Sequence, residues 1–305
     1  MSLNAHLAVM RSAFSTATAA AKVPDGRVSN SIASREAACN CFIGDVTQDR
    51  VVFVLQPSIA VGSLRYDIVQ GDTNLDPTVP VRANDQTTTA LFDANNFVSN
   101  AASANAPDKY RIVSAAMRLS CVNASEYNNG WFEAIRVPTE YSTNEYSMMS
   151  GQEIGQVGVA NIGRVPNPTW EDNIMVSSKW CNHPSYVTGK LSNLYKHQFY
   201  LQPIADREFV RNSPIGDVNA SDGLDRNFDT VLIRISATTN ALIPLGIHWH
   251  TCFHIETQHD AGSASARYHS QCFSAPNLVA KVDAQIKKDP KASIIRSPNS
   301  FAYNP

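Results

Sequence analysis

The sequence predicts an all-β chain: a sandwich or barrel of many short antiparallel strands, with helices only at its two ends. Three observations predict it. Alternating apolar and polar residues recur at short intervals along the 305 residues, most clearly over 230–236 and 246–256. Proline, glycine and asparagine punctuate those runs. Helical spacing of apolar residues is confined to 3–21 and 276–288.

In chain order, Leu3, Leu7, Met10 and Phe14 stand close to helical spacing in an alanine-rich stretch that Pro24, Asp25 and Gly26 close. Strands are expected over 37–43 and 50–55, with a turn between them, and over 64–69. Residues 71–106 form a polar tract read as loop excursions. The alternation resumes over 109–122 (KYRIVSAAMRLSCV), and Asn128, Asn129 and Gly130 then read as a hairpin turn into 131–137. A second polar tract, 140–180, separates this pair from strands over 198–202 and 207–210.

The stretch 228–258 is the centre of the pattern. Val231, Ile233 and Ile235 alternate with polar residues, and Thr238 to Pro244 interrupt. From Gly246 a second run sets Ile247, Trp249, Thr251, Phe253 and Ile255 on one face and His248, His250, Cys252, His254 and Glu256 on the other. The two runs read as one long antiparallel pair. Pro276 then opens a helix through Lys288 with Leu278, Val279, Val282 and Ile286 on one face, and Asp289-Pro290 ends it. No internal repeat or linker divides the chain, so it reads as one domain with long insertions.

Composition narrows the function. Charged residues make up 17%, against a typical ~25%, while 43% are hydrophobic. Such a surface is expected to be covered by neighbours. A net charge of -2 argues against nucleic-acid binding by bulk charge alone. The six cysteines (39, 41, 121, 181, 252 and 272) show no CxxC pair or zinc-ligand spacing. Cys39 and Cys41 are expected to pack within their strand. The opening residues lack a basic leader ahead of an apolar core, and no apolar run is long enough for a membrane span, so synthesis in the cytosol with free thiols is expected.

The histidine-bearing strand is the one chemical temptation. Residues two apart on a strand are ~6.6 Å apart, so one tetrahedral ion would take His248 with His250, or His250 with Cys252, and need further ligands from elsewhere. A polar face turned to the interior or to an interface is the plainer reading. The strand also evokes cupins, metal enzymes with HxH followed by a glutamate, but Glu256 stands six positions after His250 and no second cupin motif follows. The sequence contains no GxSxG, P-loop, GxGxxG or HExxH. A cupin-like metal-dependent enzyme using His248 and His250 is the alternative reading.

Four stretches carry a resemblance: LAVMRSAF (7–14) followed by VPDG (23–26); YRIVSAAMRLSCV (110–122) with GWFEAIRVP (130–138); FDTVLIRISA (228–237); and 249–256 running on to the helix after it. In content and order they resemble the capsid proteins of nodaviruses and the nodavirus-like capsids of some other small viruses. The resemblance implies an eight-stranded antiparallel jelly-roll β-sandwich with long loop insertions and short terminal helices. It implies a major capsid protein, not an enzyme, that self-assembles in many copies into an icosahedral shell around a viral genome of RNA or single-stranded DNA. Residues 1–30 would be a helix and arm on the inner side of the shell, 31–275 the shell domain with projecting insertions, and 276–305 the C-terminal helix and tail. The virion is the expected location, after assembly in the host cytoplasm or nucleus; the sequence does not identify a host receptor.

The resemblance further implies calcium shared between subunits, on Asp206, Glu208, Asp217 and Asp222. Two departures stand out. The 305 residues do not include the arginine-rich arm that the family carries ahead of the shell domain, and nucleic-acid contact is expected from Lys281, Lys287, Lys288, Lys291 and Arg296. Some of these capsids cut themselves with an aspartate shortly after an Ala-Phe dipeptide. Here Ala13-Phe14 is followed by Ser15, Thr16, Ala17 and Thr18, and no Asn-Ala junction lies near the C-terminus, so no maturation cleavage is expected.

Overall fold

The computed structural model describes residues 3–15, 20–25, 30–43, 50–55, 57, 64–69, 107–124, 129–137, 185–203, 207–211, 227–237, 245–271, 274–288 and 295–296. Helix α1 spans Leu3–Arg11. The strands are β1 (Ile32–Ile43), β2 (Arg50–Leu55), β3 (Leu64–Val69), β4 (Lys109–Cys121), β5 (Gly130–Val137), β6 (Val187–Lys190), β7 (Gln198–Tyr200), β8 (Val210–Arg211), β9 (Thr230–Ala237), β10 (Gly246–Gln258) and β11 (Ile295–Arg296). Helix α2 spans Pro276–Lys288, and short 3-10 turns occupy Leu191–Lys196 and Ala264–Tyr268.

Two antiparallel sheets form the body. The first runs β1-β10-β4-β7-β11, with β8 also on β4; the second runs β3-β2-β9-β5-β6. Four strands of one (β1-β10-β4-β7) and four of the other (β2-β9-β5-β6) have the jelly-roll order that the resemblance implies. β3 and the two-residue strands β8 and β11 are additions to it.

The core lies between the sheets. Val51, Phe53 and Leu55 of β2, Phe132 and Ala134 of β5, and Val231, Ile233 and Ile235 of β9 meet Tyr110, Ile112, Ala115, Met117 and Leu119 of β4 and Ile247, Trp249, Phe253 and Ile255 of β10. On β4 the core positions switch from even to odd numbers. The cause is a bulge: His254 faces Ser114 and Ile255 faces Ile112, leaving Val113 unmatched. Arg111 and Glu256 are thereby paired on the face away from the core.

Element positions follow the sequence closely, but three connections do not. The runs in 228–258 are not paired with each other: β9 lies between β2 and β5 in the second sheet, and β10 lies between β1 and β4 in the first. Likewise β1 and β2, and β4 and β5, sit in opposite sheets rather than in hairpins. Each such strand has one apolar face. Facing each other across the core buries both, whereas side-by-side pairing would still need a third layer to cover them. Gly130 is not the turn of a hairpin but the landing point of a crossover. Its φ is +139°, and a Cβ there would stand 2.2 Å from the Ser236 carbonyl oxygen of β9.

Strand β6 was not anticipated, and α1 is shorter than the 3–21 span. Cys39 and Cys41 are exposed rather than packed. The polar tracts 71–106 and 140–180 lie outside the described residues.

Candidate functional site

The face of the first sheet turned away from the core is covered by α1, the segment after it and α2, and this built layer is the candidate functional site. Apolar contacts set it up. Ala13 and Phe14 pack on Ala116, Tyr200 and Cys252. Val9, Ala21 and Val23 pack on Val113, with Val279 of α2 against them. Met10 and Leu7 of α1 meet Val282 and Leu278 of α2, so the two terminal helices lie together.

Polar side chains from the sheet then fix this layer in register. Tyr200 Oη accepts the Ala13 N–H at 2.7 Å, while the Ala13 carbonyl accepts from His254 Nε2 at 2.8 Å and Cys252 Sγ at 3.1 Å. His254 therefore carries its proton on Nε2, and burial holds its pKa below the ordinary histidine value. The Phe14 ring lies 4.8 Å from that of His250 and under the Arg118 guanidinium at 4.3 Å.

The centre is Arg111, 1% exposed. Its Nε and Nη2 reach Glu256 at 2.8 and 2.7 Å, and its Nη1 reaches Asp25 at 2.5 Å and the Arg207 carbonyl at 3.0 Å. Glu256 also accepts the Val23 N–H and the Ser31 hydroxyl. Arg207 in turn bonds Asp283 of α2 at 2.8 Å. Nearby, Lys22 Nζ donates to the carbonyls of Ser31 and Ser270. Two arginines and three carboxylates thus latch residues 23–25 and α2 to β4 and β10, and Lys22 ties the same segment to Ser31 and Ser270. His6 of α1 is buried beside them, and burial together with Arg207 pushes its pKa down to about 3, so it is held neutral.

A second polar group stands in the second sheet where β5 ends beside the start of β9. Arg136 Nε lies 2.7 Å from Asp229 Oδ2; Asp229 Oδ1 accepts the Gln202 N–H, and the Ser185 hydroxyl accepts the Arg136 N–H. In sequence, residues 138–184 connect β5 to β6, both of this sheet. Burial outweighs the nearby arginine, raising the Asp229 pKa from 3.8 to about 7.

The histidine face is thus a polar interior. Cys252, His254 and Glu256 are buried under the terminal layer, while His248 and His250 are half-buried near its rim. Among the described residues no three His, Cys, Asp or Glu side chains are grouped to hold a metal ion. Lys281 and Lys288 are exposed on α2, with Val282 turned inward. Lys287 lies in the same helix and Arg296 in β11 beside Gln198. Glu208 is exposed, its carbonyl accepting from Asn227 Nδ2. Lys291, Asp206, Asp217 and Asp222 lie outside the described residues. Sequence reasoning missed the latch itself, reading Asp25 only as part of a turn. The available signal was an arginine and a glutamate inside otherwise apolar strands (YRIVSAAM and HIET), since such charges are buried only when paired.

Residues 1–221 match the family described as Shotokuvirus capsid protein. Among curated relatives, the capsid protein of Chaetoceros diatodnavirus 1 is 26% identical over 271 residues, covering 77% of this chain and 67% of the relative. That of Avon-Heathcote Estuary associated kieseladnavirus is 23% identical over 321 residues, covering 92% and 85%. Among solved structures, infectious bursal disease virus Gt strain is similar with a TM-score of 0.48 and 9% identity, covering 93% of this chain and 94% of that one. Within the described residues, no helix is long and apolar enough to cross a membrane.

Proposed function

Because the chain belongs to the Shotokuvirus capsid protein family, we propose that it forms an icosahedral shell whose inner surface is the face carrying α1 and α2, turned toward the packaged genome. It is a major capsid protein, and copies of it make up the coat of a virion. The family match falls among capsids of other small viruses rather than on nodaviruses themselves.

One observation carries the orientation. Helices α1 and α2 lie together on one face of one sheet, and α2 presents Lys281 and Lys288 outward from that face while Val282 anchors it. A helix that is apolar toward its own subunit and cationic on its free side is suited to phosphates. Lys287, Lys291 and Arg296 would extend the same surface. The second sheet, whose β5 and β6 are joined by residues 138–184, would then face outward with that insertion projecting.

The test is expression followed by particle sizing and nucleic-acid analysis. Megadalton particles protecting nuclease-resistant nucleic acid are expected, and digestion of the extracted material with DNase or RNase identifies it as single-stranded DNA or RNA. Lys281→Glu with Lys288→Glu is expected to leave particle size unchanged and to lower the protected nucleic acid. Particles equally filled in wild type and variant refute the orientation, and a monomeric wild type refutes shell formation.

Two finer assignments belong to the same reading. Calcium shared between subunits on Asp206, Glu208, Asp217 and Asp222 would need carboxylates from more than one copy, and the exposure of Glu208 is compatible with that. Chelation that leaves particle size and melting temperature unchanged excludes it. No maturation cleavage is proposed: Asp25 is engaged by Arg111, and the mass of particle-derived chain is expected to remain that of the intact polypeptide.

A further inference from the structure

Strand β1 is the edge of the first sheet. All twelve of its residues pair with β10 in unbroken register, from Ile32 opposite Thr257 to Ile43 opposite Gly246, and among the described residues no strand lies on its other side. An exposed edge presents a row of backbone donors and acceptors, and soluble proteins blunt such edges with charge, proline, bulges or short length. The half of β1 running from Ala37 to Ile43 (AACNCFI) has none of these. Ala37, Cys39, Asn40, Cys41 and Ile43 are exposed, Ile43 at 69%.

The direction of the edge groups can be read from one bond. The Cys41 N–H donates to the Asn40 side-chain oxygen at 2.8 Å, so it points away from β10. By the strand's period of two, the Ala37, Cys39 and Ile43 N–H groups point the same way. They are the donors a new strand would use.

We propose that this edge is an interface between two copies of the chain, in which β1 of one pairs antiparallel with β1 of the other and the first sheet continues across the subunit boundary. Three features favour a second copy over another occupant. Antiparallel pairing of a strand with itself closes on a two-fold axis, the commonest symmetry of self-association. The uncharged half-strand meets its own copy without like charges opposite each other. A capsid chain is surrounded by copies of itself, and in this respect the inference rests on the capsid reading.

A two-fold axis perpendicular to the sheet keeps each strand's faces. Cys39 and Cys41 share one face of β1, opposite His250 and His248, so pairing near Asn40 brings the thiols of one copy beside those of the next, with Cβ atoms ~5 Å apart.

The native thiols therefore report the interface. Assembled particles would be treated with copper-phenanthroline, which accepts the two electrons released, with two protons, for each disulfide formed. Covalent dimers are expected on a non-reducing gel, and none from the Cys39→Ser, Cys41→Ser double variant. Cys39→Pro removes an outward donor and leaves the β10 ladder intact; it is expected to melt as the wild type does but to lose particles. Particles yielding no dimers through these thiols, or Cys39→Pro assembling with wild-type yield, overturn the proposal. If the wild type forms no particles, the shell reading fails separately. The edge is then decided in solution: a dimer cross-linked through the same thiols supports it, and a monomer overturns it.

Discussion

Replacing Arg111 by methionine keeps the apolar shaft of the side chain and removes the guanidinium. Glu256, 1% exposed, would keep only the Val23 N–H and the Ser31 hydroxyl. A buried ion that loses its partner typically costs 3–5 kcal/mol. The structure sets its own ceiling, because a stranded carboxylate can take up a proton instead. At pH 7, protonating a glutamate that ordinarily ionises near 4.3 costs about 4 kcal/mol, and at pH 5 only about 1 kcal/mol. Asp25, with its side chain 19% exposed, returns to water at little cost. Arg111→Met is therefore expected to destabilise the subunit by about 4 kcal/mol at pH 7 and by about 1 kcal/mol at pH 5. The assay is urea unfolding at both pH values, followed by tryptophan fluorescence, with Arg111→Met plus Glu256→Gln recovering most of the loss at pH 7. Limited proteolysis should also begin to cut within residues 1–25, because Arg111 holds Asp25. A loss equal at the two pH values, or below about 1 kcal/mol at pH 7, would refute the view that Arg111 neutralises a buried carboxylate.

Phe253 is fully buried between the sheets, so Phe253→Ala is expected to cost ~3–5 kcal/mol in urea unfolding and to abolish particle formation. Gly130→Ala meets both a φ of +139° and the Ser236 carbonyl; a large fall in melting temperature is expected, whereas an unchanged one would mean the crossover shifts freely. Because Asp229 has its pKa raised to about 7, the folded chain holds that proton more tightly than the unfolded chain does. Its contribution is fully present below about pH 4 and is lost as pH rises through about 7. His6, lowered to about 3, acts in the opposite sense, its contribution being lost as pH falls below about 6.5. The difference in melting temperature between wild type and Asp229→Asn isolates the first: the variant should gain on the wild type as pH rises from 4 to 8, and parallel curves would count against it.

Strand positions were legible because an alternating strand announces itself locally: β2, β3 and α2 lie where periodicity places them, and β10 begins where its pattern does. Which strands pair was not legible from that signal. The alternation of Val231, Ile233 and Ile235 is the same whether β9 lies beside β10 or across the core from it, and a turn-forming Asn-Asn-Gly serves a crossover as well as a hairpin. The jelly-roll order came from the resemblance, which carries long-range information that periodicity lacks. The candidate site was legible in part. The even face of β10 reads as polar and interior, but Asp25 and Arg207 are far away in sequence, and only the fold brings them to Arg111 beside Glu256. Strand β6, only four residues long beside a polar tract, falls below the length at which alternation can be told from chance.

The terminal layer also explains why charge sits where it does in so sparsely charged a chain. The first sheet is covered on both faces, by the second sheet on one side and by α1, residues 20–25 and α2 on the other. Apolar contacts such as Met10 with Val282 hold the helices down but tolerate sliding, because a hydrophobic contact is non-directional. The Arg111 guanidinium does not: its donors are satisfied together only when Glu256, Asp25, the Val23 carbonyl and the Arg207 carbonyl all stand in place. A buried ion pair is a weak source of stability beside a well-packed apolar alternative. Its use here is positional. A subunit repeated through a shell needs its ends in one place, and a directional latch at the bulge of β4 selects one register that burial alone would leave open.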